Sequence, residues 1–245
     1  MHPLPSRYWW YVVSSRWWYW DSWFSSASSS SSAGARSRIM AHANVICDEL
    51  AEAFAFVGNS FLKPMSQASD AGLDRAFWAA FPDFGDEGVA TVLERCFQWA
   101  AKGESVSRDE RVRDVSVEYA RLFIGPPEPA VAPWETFYER EDVVSGFGEP
   151  TFRMRERLRQ LGLVVSNENN QYEDHIGIEL LCCSEYVRRA VEDPACTREA
   201  SAFATDVLAP WVGRFAMQLE ESSASYYRLM AELAMSLIAL LAPSE

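Results

Sequence analysis

The stretch "RLFIGPPEPAVAPWETFY", Arg121 to Tyr138, interrupts a helical sequence with four prolines and then places three aromatic residues within five positions. Proline fixes the backbone φ angle and removes an N–H donor, so these residues predict a rigid elbow without a hydrogen-bond ladder. Trp134, Phe137 and Tyr138 have two interpretations on such an elbow. They either pack the junction between two helical halves, or present apolar faces to a peptide at a low cost in entropy. The residues alone leave both interpretations open.

Helical periodicity extends from this elbow in both directions. From Met40 onward, apolar residues recur at steps of three and four along almost the whole chain, and no convincing alternating strand appears. Boundary signals accompany this pattern: Pro64 and Gly162 follow apolar stripes, Ser107 begins the capping-box pattern "SRDE", and Asp174 is a good N-cap. We therefore predict an all-α fold, a single globular helical domain built from two helical halves joined by the Pro-rich elbow.

Residues 1–39 differ sharply in composition from the rest of the chain. They hold six of the ten tryptophans and twelve serines, including the run "SSASSSSS". Their aromatic stretch is broken by Arg16 and Asp21 and lacks the aliphatic core and cleavage site of a secretory signal. An interfacial aromatic anchor is the alternative. We predict that residues 1–39 are a disordered extension or an artefact of upstream translation, with Met40 as the natural start, and that residues 40–245 form the helical domain.

The overall charge and hydropathy exclude some classes of protein. A formal net charge of -13 argues against a nucleic-acid surface, which requires a basic stripe. The charge suits a basic partner, or simply marks an acidic cytosolic protein. Since no run of about 18 apolar residues is present, no stable membrane insertion is expected.

The residues that could carry redox, metal or nucleotide chemistry are few. Five cysteines show no C-x-x-C spacing, and three histidines elsewhere give a zinc site little to build on. Free thiols in a reducing compartment are the expectation. The chain also lacks a Gly-x-x-x-x-Gly-Lys-Ser/Thr loop for nucleotide phosphates. We expect no cofactor and no metal.

Three segments together resemble the TorD/DmsD family of cytoplasmic chaperones for molybdenum-containing oxidoreductases. The first is "EYARLFIGPPEPAVAPWETFY", which is similar to the family pattern Tyr-x-Arg-Leu-Phe-x-Gly-Pro, a spacer, and Pro-Trp-Glu-x-x-Tyr. The second is "EDHIGIELL", which resembles the Asp-His motif before a helix, although the family usually has Pro where this chain has Tyr172. The third, "LAPWVGRFA…SYYRLMAEL", is similar to the family's C-terminal pattern. The first 39 residues match nothing in the family.

This resemblance implies an all-helical cytoplasmic protein that binds the twin-arginine signal peptide of a partner enzyme, and often its apo form. The chaperone would hold the precursor until the molybdenum cofactor is inserted, before export. The resemblance names neither the client oxidoreductase nor any nucleotide that modulates binding. The oligomeric state also stays open, with a homodimer among the alternatives.

The residues expected to bind the peptide come from the first two segments. They are Tyr119, Arg121, Leu122, Phe123, Pro133, Trp134, Glu135, Tyr138, Glu173, Asp174 and His175. Glu135, Glu173 and Asp174 could offer carboxylates to a pair of guanidinium groups, which they can bind with two hydrogen bonds each. His175 either bonds the peptide or orders its loop.

Two rival functions remain at this stage. Asp174 and His175 have the residue types of general acid–base catalysis, as in a small α-helical hydrolase or a nucleotide-handling enzyme. A catalytic site would also need a nucleophile or a metal, and the nearby Cys182 and Cys183 lie within an ordinary helix. The other rival is a generic helical scaffold without a twin-arginine client. We predict a binding protein and not an enzyme.

Overall fold

A computed structural model of the protein describes residues 35–125, 128–139, 143, 146–165, 171–191, 193–221 and 225–243, with side chains from residue 47 onward. Ten α-helices occur in these ranges: α1 Ala35–Leu62, α2 Arg75–Ala80, α3 Glu87–Lys102, α4 Arg108–Tyr119, α5 Thr136–Glu139, α6 Glu149–Gln160, α7 Ile176–Ala190, α8 Pro194–Phe203, α9 Ala209–Glu221 and α10 Tyr226–Leu240. No β-strand occurs within these same ranges; they contain one isolated antiparallel bridge, between Trp134 and His175. The predicted all-α fold is confirmed.

Local sequence signals set several of the helix ends. Helix α1 ends at Leu62, just before Pro64. The Ser107 hydroxyl accepts a hydrogen bond from the backbone N–H of Glu110 at 3.3 Å, which confirms that Ser107 caps α4. Gly162 follows α6 with a φ of 70°, a left-handed conformation that glycine adopts at little cost.

Other boundaries differ from the sequence expectation. Helix α1 begins at Ala35, inside the segment 1–39, whose remaining residues lie outside the described ranges. Helix α8 was not predicted, although Cys196, Ala200 and Phe203 recur at helical steps and are buried. A π-helical turn, Ala204–Leu208, joins α8 to α9, and Pro210 is the second residue of α9. Proline has no N–H for an intrahelical bond, and a wider turn just before it accommodates that loss.

The core joins helices from both sides of the elbow. Helix α1 packs most extensively against α7, and α10 packs against both α1 and α3. One cluster of buried apolar residues runs through all of these helices. The elbow therefore connects two stretches of sequence that share one core.

The crossing of α1 and α7 depends on two glycines. A Cβ atom at Gly177 would lie 2.6 Å from the carbonyl oxygen of Gly58, and one at Gly58 would lie 2.9 Å from the carbonyl oxygen of Gly177. The two backbones therefore approach each other more closely than side chains would permit. This crossing sets the position of the first turn of α7.

Within the described residues, no helix is at once long enough and apolar enough to cross a membrane.

Candidate functional site

The elbow and the loop before α7 lie side by side. The backbone N–H of Ile176 donates to the carbonyl of Pro133 at 2.8 Å, and that of Glu135 donates to the carbonyl of Asp174 at 3.0 Å. These bonds flank the bridge between Trp134 and His175. Two motifs that are separated by about forty residues of sequence thus form one unit of structure.

Asp174 holds this unit together from inside. Its side chain is fully buried. One carboxylate oxygen accepts from both the backbone N–H and the hydroxyl of Thr136, at 3.0 and 2.6 Å, and the other accepts from the hydroxyl of Thr151 at 2.9 Å. Burial raises the pKa of Asp174 despite these bonds. Its carboxylate therefore ties the loop to the elbow and to α6.

The N-cap of α7 is His175 and not Asp174, so that part of the sequence prediction is wrong. Nδ1 of His175 accepts from the backbone N–H of Gly177 at 3.1 Å. This bond leaves the proton on Nε2, and burial lowers the pKa of His175 to about 3, so the ring is neutral. Neither Nε2 of His175 nor Nε1 of Trp134 has a hydrogen-bond partner in the described part of the chain. The two rings that carry these buried N–H donors meet edge to face, with centroids 5.9 Å apart.

Glu179 belongs to the same region, although we did not select it from the sequence. It is fully buried on α7, and one of its oxygens accepts from Nε1 of Trp211 at 3.1 Å. Its carboxyl group also contacts that of Glu135. Burial first, and then the charges of Glu135 and Asp174, raise the pKa of Glu179 well above its usual range. A glutamate at helical spacing from Ile176 and Cys183, in an otherwise apolar stripe, was the signal that could have revealed it.

Most of the expected peptide-binding residues from the elbow are buried. Tyr119, Leu122, Phe123 and Tyr138 have side chains that are at most 5% exposed. The Tyr119 hydroxyl donates to the carbonyl of Phe61 at 3.3 Å, and that of Tyr138 donates to the carbonyl of Ala132 at 2.9 Å. Pro133 is also buried, whereas Arg121 is exposed. These residues shape the elbow from within, and their part in peptide binding stays a prediction.

An aromatic surface lies over the elbow, and we define it as Trp134, Phe137, Phe147, Phe152 and Tyr172. The last three side chains are 38–49% exposed. The Phe147 ring lies 5.0 Å from that of Phe152 and 5.4 Å from that of Tyr172, and Tyr172 in turn lies 6.4 Å from Trp134. Phe147 and Phe152 were not predicted, because they belong to no motif or apolar stripe. The aromatic surface thus offers apolar contact area beside the Asp174–His175 loop.

Two arginines of α6 bind the glutamates around this surface. Arg155 donates to both carboxylate oxygens of Glu173, from Nε at 2.7 Å and from Nη2 at 3.0 Å. Nη2 of Arg153 donates to Glu135 at 3.0 Å and to Glu139 at 2.8 Å. Of the three carboxylates that we expected to bind guanidinium groups of the peptide, Glu135 and Glu173 bind arginines of the same chain, whereas Asp174 accepts from Thr136 and Thr151.

Comparison with known proteins places the chain in a family. The sequence profile of the family described as "Nitrate reductase delta subunit", to which the TorD and DmsD chaperones are assigned, matches residues 85–217. These residues are more than half of the chain, and they include the elbow, the aromatic surface and the Asp174–His175 loop. The chain belongs to the TorD/DmsD family.

Individual relatives in the TorD/DmsD family agree with this assignment. The chain is 23% identical to the chaperone protein TorD of Psychrobacter sp. over 58% of this chain and 64% of that protein. It is 28% identical to the Tat proofreading chaperone DmsD of Salmonella paratyphi A over 47% of this chain and 54% of that protein. A third match, 20% identical, is the TorD of Vibrio cholerae, over 82% of this chain and 93% of that protein. With the first two relatives, the chain spans less than two thirds of their length.

These TorD/DmsD relatives are named as chaperones, which supports the prediction that the protein is not an enzyme. The geometry around Asp174 also opposes acid–base catalysis. Its carboxylate accepts three hydrogen bonds from protein groups, and His175 is buried and neutral. Burial raises the pKa values of Cys182 and Cys183, so both nearby thiols keep their protons.

Asp174→Asn tests the structural role of this carboxylate in the TorD/DmsD fold. A simple N-cap would tolerate asparagine, but an amide has only one accepting oxygen, so Asp174→Asn loses either the bonds from Thr136 or the bond from Thr151. We expect a loss of about 1–3 kcal/mol in the free energy of unfolding, measured by denaturant titration at neutral pH.

Asp86→Asn is the matched control, because Asp86 is a true N-cap that accepts from the backbone N–H of Val89 at 2.8 Å. We expect it to change the free energy of unfolding by at most about 0.5 kcal/mol. Equal effects of the two substitutions would contradict the connecting role of Asp174.

Proposed function

We propose that the protein is a chaperone that binds the twin-arginine signal peptide of a molybdenum-cofactor oxidoreductase, and the apo form of that enzyme, before export. The observation that carries this proposal is the partly exposed aromatic surface beside the Asp174–His175 loop. Family membership supports it, since relatives in the TorD/DmsD family are named as chaperones, one of them as a Tat proofreading chaperone.

The two chemical parts of such a leader fit two parts of this region. A twin-arginine leader combines adjacent guanidinium groups with an apolar stretch. The apolar stretch would bury area against Phe147, Phe152 and Tyr172, which lie beside Trp134 of the rigid elbow. The guanidinium groups would meet the carboxylates of Glu173 and Glu135.

The buried N–H groups add a third element to the proposal. Nε2 of His175 and Nε1 of Trp134 are donors without a protein acceptor among the described residues. A buried donor without a partner costs free energy, so a carbonyl oxygen of a bound peptide would stabilise both.

Calorimetry with a synthetic leader peptide tests this function. The peptide carries two adjacent arginines followed by an apolar stretch of alanine and leucine. We expect a negative heat-capacity change from apolar burial. The double substitution Phe152→Ala with Tyr172→Ala should weaken binding at least about tenfold, because aromatic residues often contribute more than 1 kcal/mol each at an interface.

Met235→Ala is the control, since Met235 is comparably exposed but lies on α10. It should leave the affinity unchanged. Equal binding of a scrambled peptide of the same composition would contradict specific recognition and would favour the generic scaffold.

A further inference from the structure

The edge of the aromatic surface already holds a guanidinium group. Arg155 binds Glu173 through two parallel hydrogen bonds, at 2.7 and 3.0 Å. The same guanidinium carbon lies 5.8 Å from the centroid of the Phe152 ring. A planar cation is thus held by a carboxylate that accepts it with both oxygens and lies near an aromatic ring, which is the geometry that distinguishes arginine from lysine.

The exposure of the two partners allows Arg155 to be replaced at Glu173 by another guanidinium group. The Arg155 side chain is 52% exposed, whereas Glu173 is only 18% exposed. Ion pairs with one such exposed partner contribute little to stability, so Arg155 can leave at a small cost. Glu173 precedes Asp174 in a loop that is tied to the elbow and to α6, so the acceptor stays in place when the donor moves.

We propose that Glu173 and Phe152 form an arginine-binding site, which Arg155 occupies in the free protein and which an arginine of the client takes over on binding. This inference rests on the proposed function. Because an arginine of the client must displace Arg155 from Glu173, Arg155 lowers the affinity of the protein for the leader peptide. A lysine of a wrong client would be a poorer competitor, because it cannot form two parallel bonds to Glu173 or stack as a plane on Phe152.

Removal of the competitor gives the first test. Arg155→Gln should bind the arginine-pair peptide about threefold to fivefold more tightly than the wild-type protein, since a surface ion pair contributes up to about that factor. Glu173→Gln should bind it about tenfold more weakly. In the double variant, the gain from Arg155→Gln should disappear, because the carboxylate for which the arginines compete is gone.

Arg159→Gln is the matched control. Arg159 lies on the same helix and also donates two hydrogen bonds to one glutamate, Glu156, at 2.8 Å each. The substitution Arg159→Gln removes the same positive charge from α6 and leaves the aromatic surface unchanged. An equal gain in Arg159→Gln would show a general electrostatic effect, and an unchanged or weaker affinity in Arg155→Gln would show a purely structural ion pair. Either outcome overturns the exchange.

A small molecule tests the arginine-binding site independently of the client peptide. N-acetyl-arginine methylamide, titrated into Arg155→Gln, should shift the NMR signals of the Phe152 ring, whereas the lysine analogue should not. Peptide binding by the wild-type protein without these effects would leave the proposed chaperone function standing and remove the exchange. Shifts from the small probe without any peptide binding would keep the arginine site and contradict the chaperone function.

Discussion

Gly177→Ala is expected to destabilise the protein by about 3 kcal/mol, near the upper end of the range for overpacked sites. The new Cβ would lie 2.6 Å from both the carbonyl oxygen of Gly58 and the Cγ atom of Leu62. A backbone oxygen cannot rotate away as the end of a flexible side chain can, so α1 and α7 must separate. The gain in helix propensity from alanine, at most about 1 kcal/mol, does not offset this clash. Denaturant unfolding followed by circular dichroism measures the difference.

Gly213→Ala is the control for this experiment, and its expected effect has the opposite sign. Gly213 lies in α9, and a Cβ atom there would meet nothing within 4 Å. The substitution should stabilise the protein by up to about 1 kcal/mol. Unchanged stability in Gly177→Ala would contradict the close crossing of α1 and α7.

Glu179→Ala is expected to destabilise the protein by about 2–4 kcal/mol. It leaves a cavity beside α7, and it removes the acceptor of the Trp211 N–H group and the neighbour of the Glu135 carboxyl group. Glu179→Gln keeps the shape, and its amide oxygen can still accept from Trp211. Its amide N–H is a donor that an ionised Glu179 lacks, and the Glu135 carboxyl group nearby can accept from it. We therefore expect Glu179→Gln to equal or exceed the wild-type protein in stability at neutral pH.

The wild-type protein and Glu179→Gln should also differ in how their stability depends on pH. The pKa of Glu179 is raised in the folded state above the usual 4.5, so its contribution to stability is fully present below pH 4.5 and is lost as the pH rises towards the folded-state pKa. The stability of Glu179→Gln minus that of the wild type should therefore increase with pH, by up to about 1.4 kcal/mol per pH unit.

His175 has the opposite effect on the pH dependence of stability, and this effect cancels when the two proteins are compared. Its pKa is lowered to about 3 from 6.5, so its contribution is lost as the pH falls through that interval. Both proteins contain His175, and the difference between their unfolding curves isolates Glu179. Parallel stability profiles from pH 5 to pH 8 would show that Glu179 is ionised in the fold.

The sequence by itself determined most of the helices and the family. Apolar residues at steps of three and four predicted α1, α3, α4 and α7, because each such stripe must turn towards a core. Ser107 and Gly162 set helix ends through a hydrogen bond and a backbone angle that involve only neighbouring residues, so a sequence pattern can predict them. The motifs at the elbow and at Asp174–His175 correctly indicated the TorD/DmsD family.

Only the tertiary structure decided what those motif residues do. Asp174 resembles an N-cap in its own segment, yet its oxygens accept from Thr136 and Thr151, which lie 38 and 23 positions away. The aromatic surface likewise combines rings from the elbow, from the start of α6 and from the loop before α7. The pKa of Glu179 is raised because folding buries this side chain and places it near Glu135 and Asp174. Local periodicity carries no information on such pairings, since they arise when distant segments exclude water from the same place.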